Sequence, residues 1–179
     1  MSENRKRLKK GLVQVYFGSG KGKTTCALGQ AFRAIGHGFR VYMIQFMKGN
    51  VKYGEITSAK KVENFTIKQF GRPDLIAEPD PIDIEEGEKA IAFAKEIIMS
   101  DQYDIVILDE VGVAIDMGLL PVEPVLELME KKPEHVELII TGRKVHPKIK
   151  EKADLVTEMK QIKHYFATQG IDARYGIEF

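Results

Sequence analysis

The residues with the most chemical reach lie in one short run, Gly18-Ser19-Gly20-Lys21-Gly22-Lys23-Thr24-Thr25. Glycines let a backbone curl until successive N–H groups point inward at an anion. The run follows a β-branched, aromatic stretch (LVQVYF, 12–17) and opens a helix-like one, so a helix N-terminus adds its partial positive charge. Lys23 can reach phosphate oxygens, and Thr24 can offer its hydroxyl to Mg²⁺. The spacing departs from the usual G-x-x-x-x-G-K-[ST]. Counted back from Gly22, the first glycine falls due at position 17, which is Phe17. The loop is one residue shorter and carries an extra cation, Lys21. A tighter, more basic loop argues against presenting a γ-phosphate for ordinary phosphoryl transfer.

A second signal closes the apolar run IVILDE, where Asp109 and Glu110 stand at a strand end. A carboxylate there can face the phosphate loop and hold Mg²⁺ directly or through water, or it can simply cap a helix. No nucleophile–base pair stands out elsewhere. His37, His135, His146 and His164 lack metal-ligand spacing, and Cys26 reads as a small buried hydrophobe.

The elements that must position these groups follow from the apolar runs. Strand-length segments occur at 12–17, 40–46, 65–70, 104–110 and 136–142, with a weaker one at 154–159. IVIL and LII are continuously apolar, as in strands covered on both faces. Helix patterns fall at 24–35, 83–100 and 122–132, and Ala90, Phe93, Ala94, Ile97 and Ile98 form a buried stripe. This alternation predicts a single-domain α/β fold of the P-loop NTPase (RecA-like) type, a mostly parallel sheet with helices on both faces. Its domain should span 11–179 after a basic segment, 1–10. The stretch 71–82 holds three of the seven prolines and reads as a long loop, either functional or a rigid crossing.

Composition narrows the function classes. The 179 residues suit one domain with a full core. Lys and Arg number 27 against 26 Asp and Glu, so binding a polyanion by bulk charge is excluded and no nucleic-acid partner is expected. One cysteine rules out an internal disulfide and suggests a reducing compartment. No apolar run is long enough for a membrane span, and the basic start lacks a signal peptide's apolar region. A cytoplasmic protein without membrane contact is expected.

Taken together, GSGKGKTT, RAIGHGFRVYMIQFMKG (33–49), YDIVILDEV (103–111), LLPVEPVLELMEKKPEHVELIITGR (119–143) and the tail ADLVTEMKQIKHYFATQGIDARYGIEF (153–179) resemble the P-loop ATP:corrinoid adenosyltransferases, in that family's order and over nearly the whole chain. The resemblance implies transfer of the 5′-deoxyadenosyl group of ATP to a cobalt(I) corrinoid, with triphosphate leaving, in corrinoid synthesis or salvage. It implies a nucleotide held in reversed polarity, Mg²⁺, a homodimer, and a separate electron-donating reductase of flavoprotein type. Carried onto this sequence, ATP binding falls to Gly18, Ser19, Gly20, Lys21, Gly22, Lys23, Thr24, Thr25 and Arg33. The metal falls to Thr24, Asp109 and Glu110, and catalysis to Lys23, Thr24 and Glu110. Phe46, Lys48, Phe70, Leu75 and Ile76 are the corrinoid-side candidates. In the family the loop corresponding to 71–82 carries aromatics that cover the corrinoid's lower face. Here it has none. The rival readings are a P-loop ATPase or small-molecule kinase, which would make ADP, and a non-catalytic corrinoid or nucleotide carrier.

Overall fold

The structure, a computed structural model, describes residues 7–74 and 78–179. Leu75 and Ile76, and the basic residues up to Lys6, lie outside the described residues.

Each predicted apolar run forms a strand: β1 (Val13–Phe17), β2 (Val41–Gln45), β3 (Phe65–Gln69), β4 (Ile105–Asp109), β5 (Glu137–Gly142) and β6 (Leu155–Glu158). They make one six-stranded sheet in the order β3-β2-β4-β5-β1-β6, and every pairing is parallel. All-parallel pairing requires crossovers over both faces, and the core divides accordingly. One face is covered by α1 (Lys23–Ile35), whose Ala27, Ala31 and Ala34 are fully or nearly buried against Val41, Met43, Ile105, Ile107 and Ile139. Small side chains at that spacing bring the helix close to the sheet and hold its N-terminus over the strand ends. The other face carries α3 (Pro81–Met99), α4 (Val111–Asp116), α5 (Glu123–Lys131) and α6 (Pro147–Lys152) around Ile44, Val106, Leu108, Leu138 and Ile140. The short helices α2 (Gly54–Ala59), α4, α6 and α7 (Tyr165–Gln169) have too few turns for a periodic signal, and the sequence reading passed over them.

The stretch 71–82 is shorter as a loop than the sequence suggested. α3 begins at Pro81, with Asp80 as N-cap accepting from the Ile82 and Asp83 amides in a capping box. Proline at the first helical turn lacks only an N–H that would have no helical partner. Arg72 ties the incoming chain to this cap with two bonds to Asp83, at 2.8 and 2.6 Å, and one to Asp80, at 2.8 Å. The segment after β2 is zipped to the same chain, through Lys48 N to Phe70 O and Gly49 N to Arg72 O. Gly49 is needed there, since a Cβ at that position would stand 1.5 Å from the Gly71 carbonyl oxygen.

Asp80→Ala removes the cap and one of the Arg72 pairs. It should lower stability by about 1 kcal/mol, read as a lower urea midpoint at unchanged slope. The Arg72 bonds hold the Asp83 carboxyl below its ordinary range. The contribution of Asp83 is therefore complete above the usual carboxylate pKa, and should fade only as pH falls through the depressed value.

Candidate nucleotide site

Parallel strands deliver their carboxyl ends to one edge, and loops gather there. The glycine run leaves β1 and enters α1 at that edge. Gly18 adopts φ 114°, and a Cβ on it would meet the Met159 carbonyl oxygen at 2.5 Å, so the tight bend over β6 admits glycine alone. Gly20 N donates to the same carbonyl at 2.6 Å, and Gly18 N to Arg143 O at 3.2 Å. The α1 N-terminus has no side-chain cap, so its first amides remain available to an anion. Lys23 folds back across the loop and donates to the carbonyls of Gly18 and Gly20, at 2.9 and 2.8 Å. Burial pulls its pKa down from the ordinary lysine value.

Asp109 ends β4, one of the two middle strands, with no solvent exposure. Four side chains donate to it. Thr24 Oγ1 and Thr141 Oγ1 reach Oδ1 at 2.9 and 2.7 Å. Lys48 Nζ reaches Oδ2 at 2.7 Å, and Gln45 Nε2 reaches it at 3.4 Å. Burial opposes the charge on Lys48, but the ion pair outweighs it and raises the lysine pKa. The Thr141 hydroxyl also accepts the Glu110 amide at 2.9 Å. Glu110 itself sits at φ 63°, a left-handed conformation that costs a non-glycine residue energy and turns its side chain off the strand. No hydrogen bond to its carboxylate occurs among the described residues. Burial and the neighbouring Asp109 charge raise its pKa, partly offset by Lys48 and Lys23.

These groups face a cleft of about 660 Å³, lined by Lys21, Lys23, Thr24 and Glu110 on the charged side and by Leu28, Tyr53, Ile177 and Phe179 on the apolar side. Glu55 and Ser58 of α2 complete it. A second cleft of about 600 Å³ lies across the loop and holds Gly18, Ser19, Arg143, Lys144, His146 and Lys150.

The candidates from sequence thus separate. Lys21, Gly22, Lys23, Thr24, Thr25 and Glu110 line one cleft, Gly18 and Ser19 the other, and Asp109 lies behind Thr24. Gly20 spends its amide on β6. Arg33 is exposed in the last turn of α1, bonded to Gln30 at 3.3 Å, and lines neither cleft. Lys48 also lines the first cleft. Phe46 is 1% exposed and packs into the core, where it lines a small cavity with Met47 and Phe70. Phe70 is half-buried and spends its ring on Phe93, 5.5 Å away, and on the Lys68 ammonium. The sequence reading missed Gln45, Tyr53, Glu55, Thr141 and the C-terminal Ile177–Phe179. Only Thr141 had a local signal, as the polar end of the apolar run LIITG.

Two substitutions here should move stability in opposite directions. Lys48→Met leaves a buried carboxylate without its counter-ion and should cost about 3 kcal/mol. Glu110→Gln removes an unpartnered charge beside Asp109 and should stabilise by about 1 kcal/mol. Chemical denaturation of the two variants beside the parent chain checks both signs.

Comparison with known proteins identifies the family. The family model described as ATP:corrinoid adenosyltransferase BtuR/CobO/CobP matches residues 9–179. A corrinoid adenosyltransferase of Pseudomonas aeruginosa is 34% identical over 97% of this chain and 86% of its own length. One from Sinorhizobium sp. is 37% identical over 95% of this chain and 81% of its own. An uncharacterized protein of Nostoc sp. is 35% identical over 93% of this chain, which spans only 48% of that protein. The chain belongs to the ATP:corrinoid adenosyltransferase family.

Proposed function

We propose that this protein transfers the 5′-deoxyadenosyl group of ATP to the cobalt of a cobalt(I) corrinoid. The observation that carries the reading is the make-up of the first cleft. Lys21, Lys23, Thr24 and Glu110 share it with apolar walls at Leu28 and Tyr53, so phosphate-binding groups and room for a nucleoside adjoin. In such a site the cobalt(I) lone pair attacks C5′ of ATP. The C5′–O5′ bond breaks, triphosphate leaves with the electron pair, and cobalt passes from +1 to +3. Cobalt is the nucleophile, so the chain needs no activated serine, cysteine or base. Its task is alignment and stabilisation of the charge on the leaving triphosphate.

The residues divide that task. Lys23 exchanges its two loop carbonyls for phosphate oxygens, which restores the charge balance that burial disfavours. Lys21 adds a second cation at the loop. The second cleft, where Arg143, Lys144 and Lys150 outnumber Asp116 and Glu158, suits the distal end of the polyphosphate. The nucleoside then falls on the Tyr53 side, in the reversed polarity that the resemblance implies.

The donor set fits Mg²⁺. A free carboxylate at Glu110 and a hydroxyl at Thr24 are hard oxygen ligands, and Asp109 stands behind them to act through water. When bound, the ion would supply charge neutralisation for the triphosphate. No cluster of three or more His, Cys, Asp or Glu that could hold a metal by itself occurs among the described residues. This suits an ion shared with phosphate rather than one caged by protein. The corrinoid preference, the homodimer and the reductase rest on family resemblance. No helix of the described residues is long and apolar enough to cross a membrane.

Incubation with cobalt(I) corrinoid and MgATP should yield a light-sensitive carbon–cobalt product and inorganic triphosphate, whereas release of ADP or orthophosphate alone would refute the assignment. Lys23→Ala should lose about 10²-fold or more in turnover with its fold intact. Glu110→Gln should weaken the Mg²⁺ dependence of the reaction. In the parent chain, the raised pKa of Glu110 should make Mg²⁺ affinity fall with decreasing pH earlier than an ordinary carboxylate would. A magnesium titration at stepped pH reads this out.

A further inference from the structure

The last six residues build a structure of their own. Ile177 N and Glu178 N both donate to Arg174 O, at 3.1 and 2.9 Å, and Gly176 N donates to Phe179 O at 2.7 Å. Gly176 takes φ 75°, which lets the chain double back within one turn. Tyr175 and Phe179 meet edge to face at 6.0 Å. This knuckle is held from behind by α7. The Tyr165 hydroxyl donates to Glu178 Oε1, the Arg174 amide donates to Oε2 at 2.7 Å, and the Arg174 guanidinium lies over the Tyr165 ring. In front it is fastened to the phosphate loop. Lys21 Nζ donates to Ile177 O at 3.1 Å and pairs with Glu178 Oε1 at 3.3 Å.

We propose that Arg174–Phe179 is a built-in wall of the nucleotide cleft, and that Glu178 is the positioning residue that aims Lys21 at the polyphosphate. The proposal rests on the reading of the cleft as an ATP site and assigns it a further part. An ammonium has three donors. Two are engaged by the tail, and the third remains for a phosphate oxygen, so Lys21 can clasp tail and nucleotide together. Glu178 brings a negative charge near the triphosphate, but Arg174 and Lys21 flank it and leave the trio net positive. Ile177 and Phe179 are 56% and 39% exposed at the cleft edge, apolar surface that a nucleoside would cover. The remainder of the segment from Lys160 onward is largely exposed, so its placement depends on these few fastenings.

Calorimetry with ATP and with inorganic tripolyphosphate tests this on the full-length parent, Glu178→Ala, Glu178→Gln, Lys21→Ala, the Lys21→Ala/Glu178→Ala double variant and a chain ending at Tyr175. Glu178→Ala should weaken ATP about 10-fold, and the double variant should be no weaker than Lys21→Ala alone. Glu178→Gln keeps a hydrogen-bonding head without the charge and should fall between. In turnover assays, Glu178→Ala should raise KM for ATP more than it lowers kcat. The shortened chain should lose more affinity for ATP than for tripolyphosphate, because the apolar wall touches the nucleoside. Equal ATP affinity in the shortened and parent chains would overturn the proposal. So would tighter binding by the shortened chain, which would make the tail a plug, or additive losses in the double variant. Failure of the underlying reading looks different: the parent chain would not bind ATP, or Lys23→Ala would bind it unchanged.

Discussion

The site depends on one buried carboxylate. Asp109 has lost all contact with water, and a charge in that position persists only if donors replace its hydration. The donors come from all around it: Thr24 from the start of α1, Gln45 and Lys48 from the end of β2 and beyond, and Thr141 from β5. Satisfying Asp109 therefore fixes the relative heights of the strand ends that carry these side chains. It also decides what the neighbouring residue does. With Thr141 bonded to both the Asp109 carboxylate and the Glu110 amide, Glu110 is turned out of the strand, and its own carboxylate has no hydrogen-bond partner among the described residues. A satisfied acid and an unsatisfied one thus stand side by side. The first holds the frame, and the second is available for chemistry.

The phosphate loop shows the same division. Its glycines bend against the backbone of Met159, the residue that follows β6, a strand exposed along its whole length. Lys23 occupies the loop by binding loop carbonyls. Those bonds pair an ammonium with neutral carbonyls, and phosphate oxygens would add an opposite formal charge. The loop is therefore already close to its ligand-holding shape, and the exchange needs one side chain to move rather than the backbone to refold.

Much of this was legible in the sequence, for identifiable reasons. IVILDE and VELIITG are continuously apolar because both faces of β4 and β5 are covered, so run length alone located them. The first helix was visible as the helix-like run 24–35 that the glycine run opens. Less legible was anything that depends on which strands are neighbours. Gln45 and Thr141 look like ordinary strand-end polar residues until the order β2-β4-β5 places them on either side of Asp109. Lys48, expected on the corrinoid side, is drawn inward because the nearest buried charge is negative. Phe46 was expected to meet a ligand, but the alternation along the β2 end turns it into the core. The tail carries part of the family resemblance, but its place at the cleft was not legible. GIEF has no periodicity, and its place over the cleft comes from Lys21 and Tyr165, far away in sequence.

The cleft's electrostatics also bear on why such a site can work without a proton-transfer residue. A displacement at C5′ by a metal-centred lone pair moves no proton in the bond-making step, so a general base in the cleft would have nothing to abstract. What the step generates is negative charge on the departing triphosphate, and the residues around the loop are arranged for that product. Lys21 and Lys23 are cations, the α1 amides have no side-chain cap, and Glu110 lines the same cleft with no hydrogen bond to its carboxylate among the described residues. Burial and the adjacent Asp109 charge raise the Glu110 pKa, so its charge is held at a cost that a nearby cation would relieve.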